Sequence, residues 1–297
     1  MDRSNNPDPV ICHVLEWAAE LETIRAVLLT STRAVPGARL DALSDYDVIV
    51  YVRNVRPFYD DRSWIDVFGE VLVAYWDPLQ PAPETGDVLT GNVVQYVDGL
   101  KIDFTVSSET HLKQLADGLS LPQELDAGYL VLLDKDGLAA RIPPPTHTGY
   151  RTIRPDNTRF QAIVNDFFAG VPYVAKCLIR HDMLPARWCL DYDIRFEYLL
   201  PMLTWHAASD YDWSITIGVN GKGLKRYLDS RLWQLLESSF ATGTVEDTWE
   251  SLFQTIALCR LAGLDVASRL GLQYPIAFDQ RVTRHANAMR ERGSRFR

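Results

Sequence analysis

The sequence predicts a mixed α/β sheet followed by an all-α helical bundle, within a chain of 297 residues. Short β-branched and apolar runs with a period of two dominate the first half. A proline-rich segment over 140–157 then interrupts the chain, and apolar residues recur after it at three- and four-residue steps. We therefore expect two domains, over residues 1–148 and 149–297.

The first half contains the predicted sheet and its flanking helices. Asp8 and Pro9 are typical of a helix N-cap and first turn, and residues 8–24 carry apolar side chains at helical spacing. Strands are predicted at 26–31, 46–53, 70–75, 91–97, 100–106 and 129–133, a short helix at 62–68 and a breaker-rich loop at 78–87. The Asp98-Gly99 dipeptide indicates a tight hairpin turn.

The second half contains the predicted helical bundle. A stripe of apolar residues runs from Phe160 to Leu178 at helical spacing. Further helices are predicted at 184–209, 222–240, 246–270 and 279–292.

Composition and charge narrow the classes of partner. The net charge of −9 argues against sequence-independent binding of nucleic acid, which depends on a basic surface. Residues 1–10 show no signal peptide, and no run approaches the roughly 18 apolar residues that span a bilayer. The four cysteines have no C-x-x-C spacing. We expect a cytoplasmic protein with reduced thiols and neither nucleic acid nor a membrane as partner; its oligomeric state is left open.

Aspartates interrupt two of the predicted strands. Asp45 and Asp47 share one face of a strand because side chains two residues apart point the same way. Asp103 interrupts a later apolar run, so neighbouring strands would bring three carboxylates to one spot, where they suit Mg²⁺. The alternatives are two solvated aspartates at a strand start and an Asp103 that pairs with Lys101.

These motifs carry a family resemblance. The turn at 31–33, "DYD" at 45–47 and "KIDFT" at 101–105 together resemble the nucleotidyltransferase superfamily, and within it the aminoglycoside 6-adenylyltransferases, or streptomycin adenylyltransferases. Other collinear segments are similar to that family at 57–73, 171–184, 199–205 and 226–236. The family's turn reads Gly-Ser-Arg, whereas this chain has Ser31 in place of the glycine. A glycine at this position lets the backbone approach phosphate closely.

The resemblance implies a nucleotidyltransferase fold for the first domain and a definite chemistry. The expected reaction is Mg²⁺-dependent transfer of AMP from ATP to a hydroxyl of an aminoglycoside such as streptomycin, which confers antibiotic resistance. The resemblance implies catalysis and the binding of two Mg²⁺ ions by Asp45, Asp47 and Asp103, and ATP binding by Ser31, Thr32, Arg33 and Lys222.

A cationic acceptor calls for carboxylates and aromatic faces, which we expect from the helical domain. The candidate acceptor-binding residues are Asp182, Trp188, Asp193, Glu197 and Trp205. An ordinary acidic helix face is the alternative interpretation.

The sequence is also compatible with two other functions. One is nucleotidyl transfer to a different small molecule or to a protein side chain. The other is a catalytically weakened, nucleotide-binding homologue, suggested by Ser31 in the phosphate turn. The presence of three carboxylates argues against the second, since a binding module does not need a metal triad.

Overall fold

The computed structural model describes residues 8–81, 88–240 and 242–295. The chain divides into two compact units, Met1–Tyr150 and Arg151–Arg297. The first is built on a mixed sheet and the second is helical. The predicted fold class, α/β followed by all-α, is confirmed.

The first unit contains a seven-stranded sheet. Its helices and strands are α1 (Pro9–Glu20), β1 (Ile24–Thr30), β2 (Tyr46–Val52), α2 (Arg56–Asp60), β3 (Val71–Trp76), β4 (Gln80–Pro81), β5 (Val88–Tyr96), β6 (Lys101–Ser108), α3 (Glu109–Asp117), α4 (Gln123–Ala127) and β7 (Tyr129–Asp134). The strand order is β3-β5-β6-β2-β1-β7, with β4 paired to β5. Strands β2 and β6 run parallel and the other pairs run antiparallel.

Each face of the sheet carries a separate apolar cluster. On one face, Val48 and Phe104 pack with Trp17 of α1 and with the 3₁₀ helix Ser63–Phe68. On the other face, Leu28 packs with residues of α3 and α4. Because side chains alternate along a strand, Asp47 and Asp103 lie on the second face, and both remain partly exposed there.

Two local predictions for this unit are confirmed by hydrogen bonds. The Asp8 carboxylate accepts from the backbone N–H groups of Val10 and Ile11, as an N-cap does. Gly99 adopts φ +91° and donates its N–H to the Tyr96 carbonyl, which closes the β5–β6 hairpin.

The loop expected at 78–87 contains the short strand β4, and residues 82–87 lie outside the described part of the chain.

The second unit is a helical bundle around α5. Its helices are α5 (Asn157–Ile179), α6 (Met183–Trp188), the π-helix Cys189–Leu199, α7 (Leu200–Ser209), the 3₁₀ turn Val219–Gly221, α8 (Leu224–Tyr227), α9 (Ser230–Ser238), α10 (Val245–Leu270) and α11 (Ile276–Arg295). The predicted apolar stripe of α5 is buried, including Phe160, Val164 and Phe167. These side chains form the core with those of α7 and α10.

One described helix, α5, is long and apolar enough to cross a membrane by length and composition. Half of its most apolar window is buried inside the protein. The burial of α5 in the helical core gives a structural reason for its apolar character.

Two helices of this unit are less regular than the sequence predicts. The single helix expected at 184–209 is α6, a π-helix and α7 in succession. The helix expected at 222–240 is interrupted between α8 and α9, because Leu228 is extended (φ −78°, ψ 141°) and the Asp229 side chain caps α9. A capping aspartate begins a new helix rather than continuing an old one.

Candidate active site

The parallel pairing of β2 with β6 brings the predicted carboxylates together. Asp47 pairs directly with Asp103 across these strands, and Asp45 immediately precedes β2. Paired residues on adjacent strands point to the same face of a sheet. Two carboxylates therefore stand side by side in the sheet, with a third two residues from one of them.

An ammonium group neutralises this cluster in the structure. Lys101 Nζ donates to Asp45 Oδ2 at 2.7 Å and to Asp103 Oδ2 at 2.8 Å. Burial acts to lower the pKa of Lys101, but these two hydrogen bonds and the carboxylate charges outweigh burial and raise it. The pairing of Asp103 with Lys101, considered as an alternative from the sequence, is present.

The negative charge of the remaining carboxylate, Asp47, is less well balanced by its surroundings. Burial raises the pKa of Asp47, and the charge of Asp103 raises it further, while a hydrogen bond from the Ser31 hydroxyl and the charge of Lys101 act in the opposite direction. Asp103 Oδ1 is buried without a hydrogen-bond partner. The cluster thus carries more negative charge than one lysine balances, and such a site favours an added cation.

The donor set fits a hard divalent metal. Carboxylate oxygens are the ligands that Mg²⁺ prefers, and the unpartnered Oδ1 of Asp103 is available as one. Within the described residues, no three His, Cys, Asp or Glu side chains are gathered closely enough to hold an ion as they stand. Lys101 lies between Asp45 and Asp103, so a metal would have to displace its ammonium.

The predicted phosphate turn follows β1 directly, as the 3₁₀ helix Ser31–Arg33. Ser31 has φ +57°, in the left-handed region where the family has glycine. A non-glycine residue in that conformation costs roughly 1–2 kcal/mol. Its hydroxyl is hydrogen-bonded to Asp47, which ties the turn to the carboxylate cluster. Thr32 is exposed.

Arg33 is held by the protein itself. Its guanidinium donates to the carbonyls of Ser44 and Asp45 at 2.8 and 2.9 Å, contacts Asp8, and stacks 3.5 Å from the centroid of the Tyr46 ring. Arg33 therefore fixes the segment that leads into β2 and so positions Asp45. Arg33 is a candidate for ATP binding from the family resemblance, and that role stays a prediction. Its structural role was missed because its acceptors are backbone carbonyls, which carry no sequence signal.

Lys222 belongs to the second unit. It follows a turn in which Gly218, Asn220 and Gly221 all have positive φ, of 90°, 53° and 76°. The N–H of Gly223 donates to Ile217, and the Lys222 side chain is exposed. Its contact with ATP stays a prediction.

Two candidate acceptor residues lie on the π-helix of the second unit. Asp193 lies near the Cys189 thiol, whose pKa is raised to about 12, first by burial and then by the Asp193 charge. The thiol itself donates to the Gly170 carbonyl at 3.9 Å. Glu197 is exposed. π-Helices occur frequently at functional sites.

The other candidates differ in exposure. Trp188, the last residue of α6, is 62% exposed and stacks on Tyr192 with ring centroids 5.3 Å apart. Asp182 is exposed at the start of α6, where its side chain caps no N–H. Trp205 is 7% exposed and packs in the helical core. The expected open aromatic face is therefore absent at Trp205, because neighbouring helices cover the ring.

Comparison with known proteins identifies the family. The family model described as Streptomycin adenylyltransferase matches residues 6–289. The aminoglycoside 6-adenylyltransferase of Campylobacter jejuni is 30% identical over 92% of this chain and 91% of its own length. That of Bacillus subtilis strain 168 is 29% identical, over 93% and 94%.

A crystal structure of an aminoglycoside 6-adenyltransferase from Bacillus subtilis is 26% identical, with a TM-score of 0.46, and covers 94% of this chain and 97% of its own. The match of the family model over nearly the whole chain shows that this protein belongs to the streptomycin adenylyltransferase family, a family of nucleotidyltransferase enzymes.

Proposed function

We propose that the protein transfers AMP from ATP to a hydroxyl of an aminoglycoside, with Mg²⁺ as the metal and streptomycin as the acceptor. The observation that carries this proposal is the register of β2 and β6, which pairs Asp47 with Asp103. The two relatives described above are named aminoglycoside 6-adenylyltransferases, which supports the same class of acceptor. Such a reaction would confer resistance to the antibiotic.

The reaction exchanges one phosphorus–oxygen bond for another. The acceptor hydroxyl attacks the α-phosphorus of ATP, the bond from that phosphorus to the bridging oxygen breaks, and pyrophosphate leaves. Divalent metal ions, when bound, neutralise the phosphates and lower the pKa of the attacking hydroxyl. We assign Asp45, Asp47 and Asp103 as the carboxylates that would hold them.

We also assign to Asp103 the acceptance of the proton from the hydroxyl. Its Oδ1 has no hydrogen-bond partner, whereas its Oδ2 accepts from Lys101 at 2.8 Å. A general base must have a free acceptor atom at the reacting hydroxyl. Lys101 compensates the cluster while ATP is absent, and we expect it to change partners when the substrate complex forms.

We expect the nucleotide on the side of the carboxylate cluster that faces the turn after β1. Ser31 and Thr32 are exposed at the end of β1, where they would meet the triphosphate. Arg33 contributes by fixing the turn and Asp45 through its bonds to two backbone carbonyls. Its contact with phosphate would use the N–H groups that these bonds leave. The binding of ATP by Lys222 stays a prediction of the family resemblance, in which a lysine acts as a point charge on phosphate.

One observation favours a second candidate, a catalytically weakened nucleotide-binding protein. Ser31 places a Cβ and a hydroxyl in the turn at φ +57°, where the family has glycine, and its hydroxyl is already bonded to Asp47. Both features crowd the position at which a triphosphate would approach the backbone.

Pyrophosphate release from the purified protein separates these functions. The reaction would contain ATP and Mg²⁺ with streptomycin, with other aminoglycosides, or without an acceptor, and Asp47→Asn would serve as the inactive control. Release that depends on streptomycin supports the proposal. Release only with another aminoglycoside would identify that molecule as the acceptor. An ATP-dependent rise in melting temperature without release supports the weakened homologue.

A further inference from the structure

The carboxylate pair belongs to a row of paired residues that continues across two more strands. Asp103 pairs with Val93 of β5, and Val93 pairs with Tyr75 of β3. Asp47, Asp103, Val93 and Tyr75 therefore share one face of the sheet. Val93 is 37% exposed and Tyr75 is 62% exposed. The carboxylates thus adjoin an open surface that is apolar and aromatic.

Another carboxylate lies against the same surface. The Asp77 N–H donates to the Gly91 carbonyl at 2.8 Å, and the Asp77 carbonyl accepts from the Thr90 hydroxyl at 2.8 Å. A Cβ on Gly91 would stand only 2.5 Å from Asp77 Oδ2, so the carboxylate rests directly on the backbone of β5. Gly91 pairs with Thr105 and precedes Val93 by two residues, which places it on the face of the row.

We propose that this surface binds the aminoglycoside acceptor, with Tyr75 against the face of a sugar or aminocyclitol ring and Asp77 on a cationic group. We call it the acceptor ledge, formed by Tyr75, Asp77, Gly91 and Val93. This inference rests on the proposed function and gives the sheet domain a part of its own in acceptor recognition.

The strand order favours an acceptor over a nucleotide on the ledge. The phosphate turn begins at Ser31, directly after Thr30, which pairs with Asp47 on the β1 side of the carboxylates, whereas Val93 lies on their β5 side. The reacting carboxylates therefore stand between the two surfaces, as transfer from one substrate to the other requires. The negative charge of Asp77 repels phosphate and attracts the ammonium or guanidinium groups of an aminoglycoside.

The dimensions of the ledge also suit one ring with its substituents. Adjacent strands are about 4.8 Å apart, so Tyr75 and Asp103 lie about 10 Å apart across β5. A ring stacked on Tyr75 would extend over Val93 and present a hydroxyl towards Asp103. Aromatic faces attract cationic groups and the C–H faces of rings, which favours this orientation.

Variants of the ledge test the proposal in the full-length protein. Tyr75→Ala should raise the KM for streptomycin about tenfold through loss of stacking. Asp77→Asn should raise it about ten- to a hundredfold through loss of a charge-assisted hydrogen bond. In both variants kcat and the KM for ATP should stay within about twofold of wild type. The matched controls are Leu72→Ala and Glu70→Gln. Both positions are exposed; Leu72 lies within the same edge strand and Glu70 directly precedes it.

A charge effect distinguishes binding by Asp77 from a structural role. The wild-type KM for streptomycin should rise with ionic strength because salt screens the attraction. Asp77→Asn should lose part of that dependence, and Asp77→Glu should restore it. A loss of folding alone would not change the salt dependence in this way.

The proposal is overturned if folded Tyr75→Ala and Asp77→Asn leave the KM for streptomycin unchanged or alter the KM for ATP as strongly. It is also overturned if the variants change only the oligomeric state, since the exposed edge strand β3 would then serve as a contact between copies of this chain.

Failure of the proposed function would be seen separately, as wild-type protein that releases no pyrophosphate with any acceptor. In that case calorimetric titration with streptomycin tests the ledge directly. Weaker binding by both variants supports the ledge, and unchanged binding, or no binding by wild type, overturns it.

Discussion

Replacement of Asp47 by asparagine should stabilise the folded protein while it abolishes turnover. Asp47 pairs with Asp103 across parallel strands, so two carboxylates of like charge face each other. Burial and the charge of Asp103 raise the pKa of Asp47 above its ordinary value of 3.8. A carboxyl with a raised folded-state pKa binds its proton more tightly in the folded state, so its ionisation at neutral pH opposes folding.

The size of this effect follows from the pairing. Like charges that face each other across strands destabilise by roughly 0.2–1 kcal/mol, and Lys101 offsets part of the repulsion through Asp45 and Asp103. We therefore expect Asp47→Asn to raise the free energy of unfolding at pH 7 by about 0.5 kcal/mol. In a protein of this size, that corresponds to an increase of about 1–2 °C in Tm. The asparagine keeps an acceptor oxygen for the Ser31 hydroxyl.

The assay compares thermal unfolding of wild type and Asp47→Asn in EDTA between pH 4 and pH 8. The stability difference should be present at pH 7 and should shrink as the pH falls through the raised pKa, because wild-type Asp47 is then protonated too. The exposed Asp66→Asn variant is a control for charge removal elsewhere. A variant that is destabilised at pH 7, or that keeps full activity, would contradict the account of this cluster.

Three further predictions concern the residues around the cluster. Lys101→Met should lower the Mg²⁺ concentration needed for half-maximal stabilisation by about tenfold, because the ammonium that competes for the carboxylates is gone. Thermal shift measures this midpoint, and an unchanged midpoint would contradict competition between Lys101 and Mg²⁺. Arg33→Lys should destabilise by about 1–2 kcal/mol in urea unfolding, since lysine cannot hold the carbonyls of Ser44 and Asp45 together; an unchanged midpoint would show that Arg33 is not structural. Ser31→Gly should raise kcat/KM for ATP in the pyrophosphate assay by removing a Cβ at φ +57°; a fall would show that the hydroxyl aids the reaction.

The sheet and the carboxylate cluster could be predicted because each depends on local patterns. Alternation along 46–53 and 100–106 placed Asp47 and Asp103 opposite their apolar neighbours, and pairing of β2 with β6 then brought them together. The hairpin at Gly99 followed from its turn residues.

Other features depend on tertiary contacts that a sequence does not display. The π-helix over Cys189–Leu199 has the apolar spacing of an ordinary helix, and its extra width appears only in the folded bundle. Arg33 binds backbone carbonyls, and the position of Asp77 depends on a missing Cβ at Gly91 in another strand. Trp205 was a candidate for acceptor binding by its residue type, whereas its burial depends on the packing of the bundle.

The central claim is that this protein moves the adenylyl group of ATP onto an aminoglycoside hydroxyl. Mass spectrometry of streptomycin after incubation with the protein, ATP and Mg²⁺ tests it most directly, with Asp47→Asn treated in the same way. We expect adenylylated streptomycin with wild type and none with the variant. Unmodified streptomycin after incubation with folded wild-type protein, together with unmodified acceptors across an aminoglycoside panel, would contradict the claim.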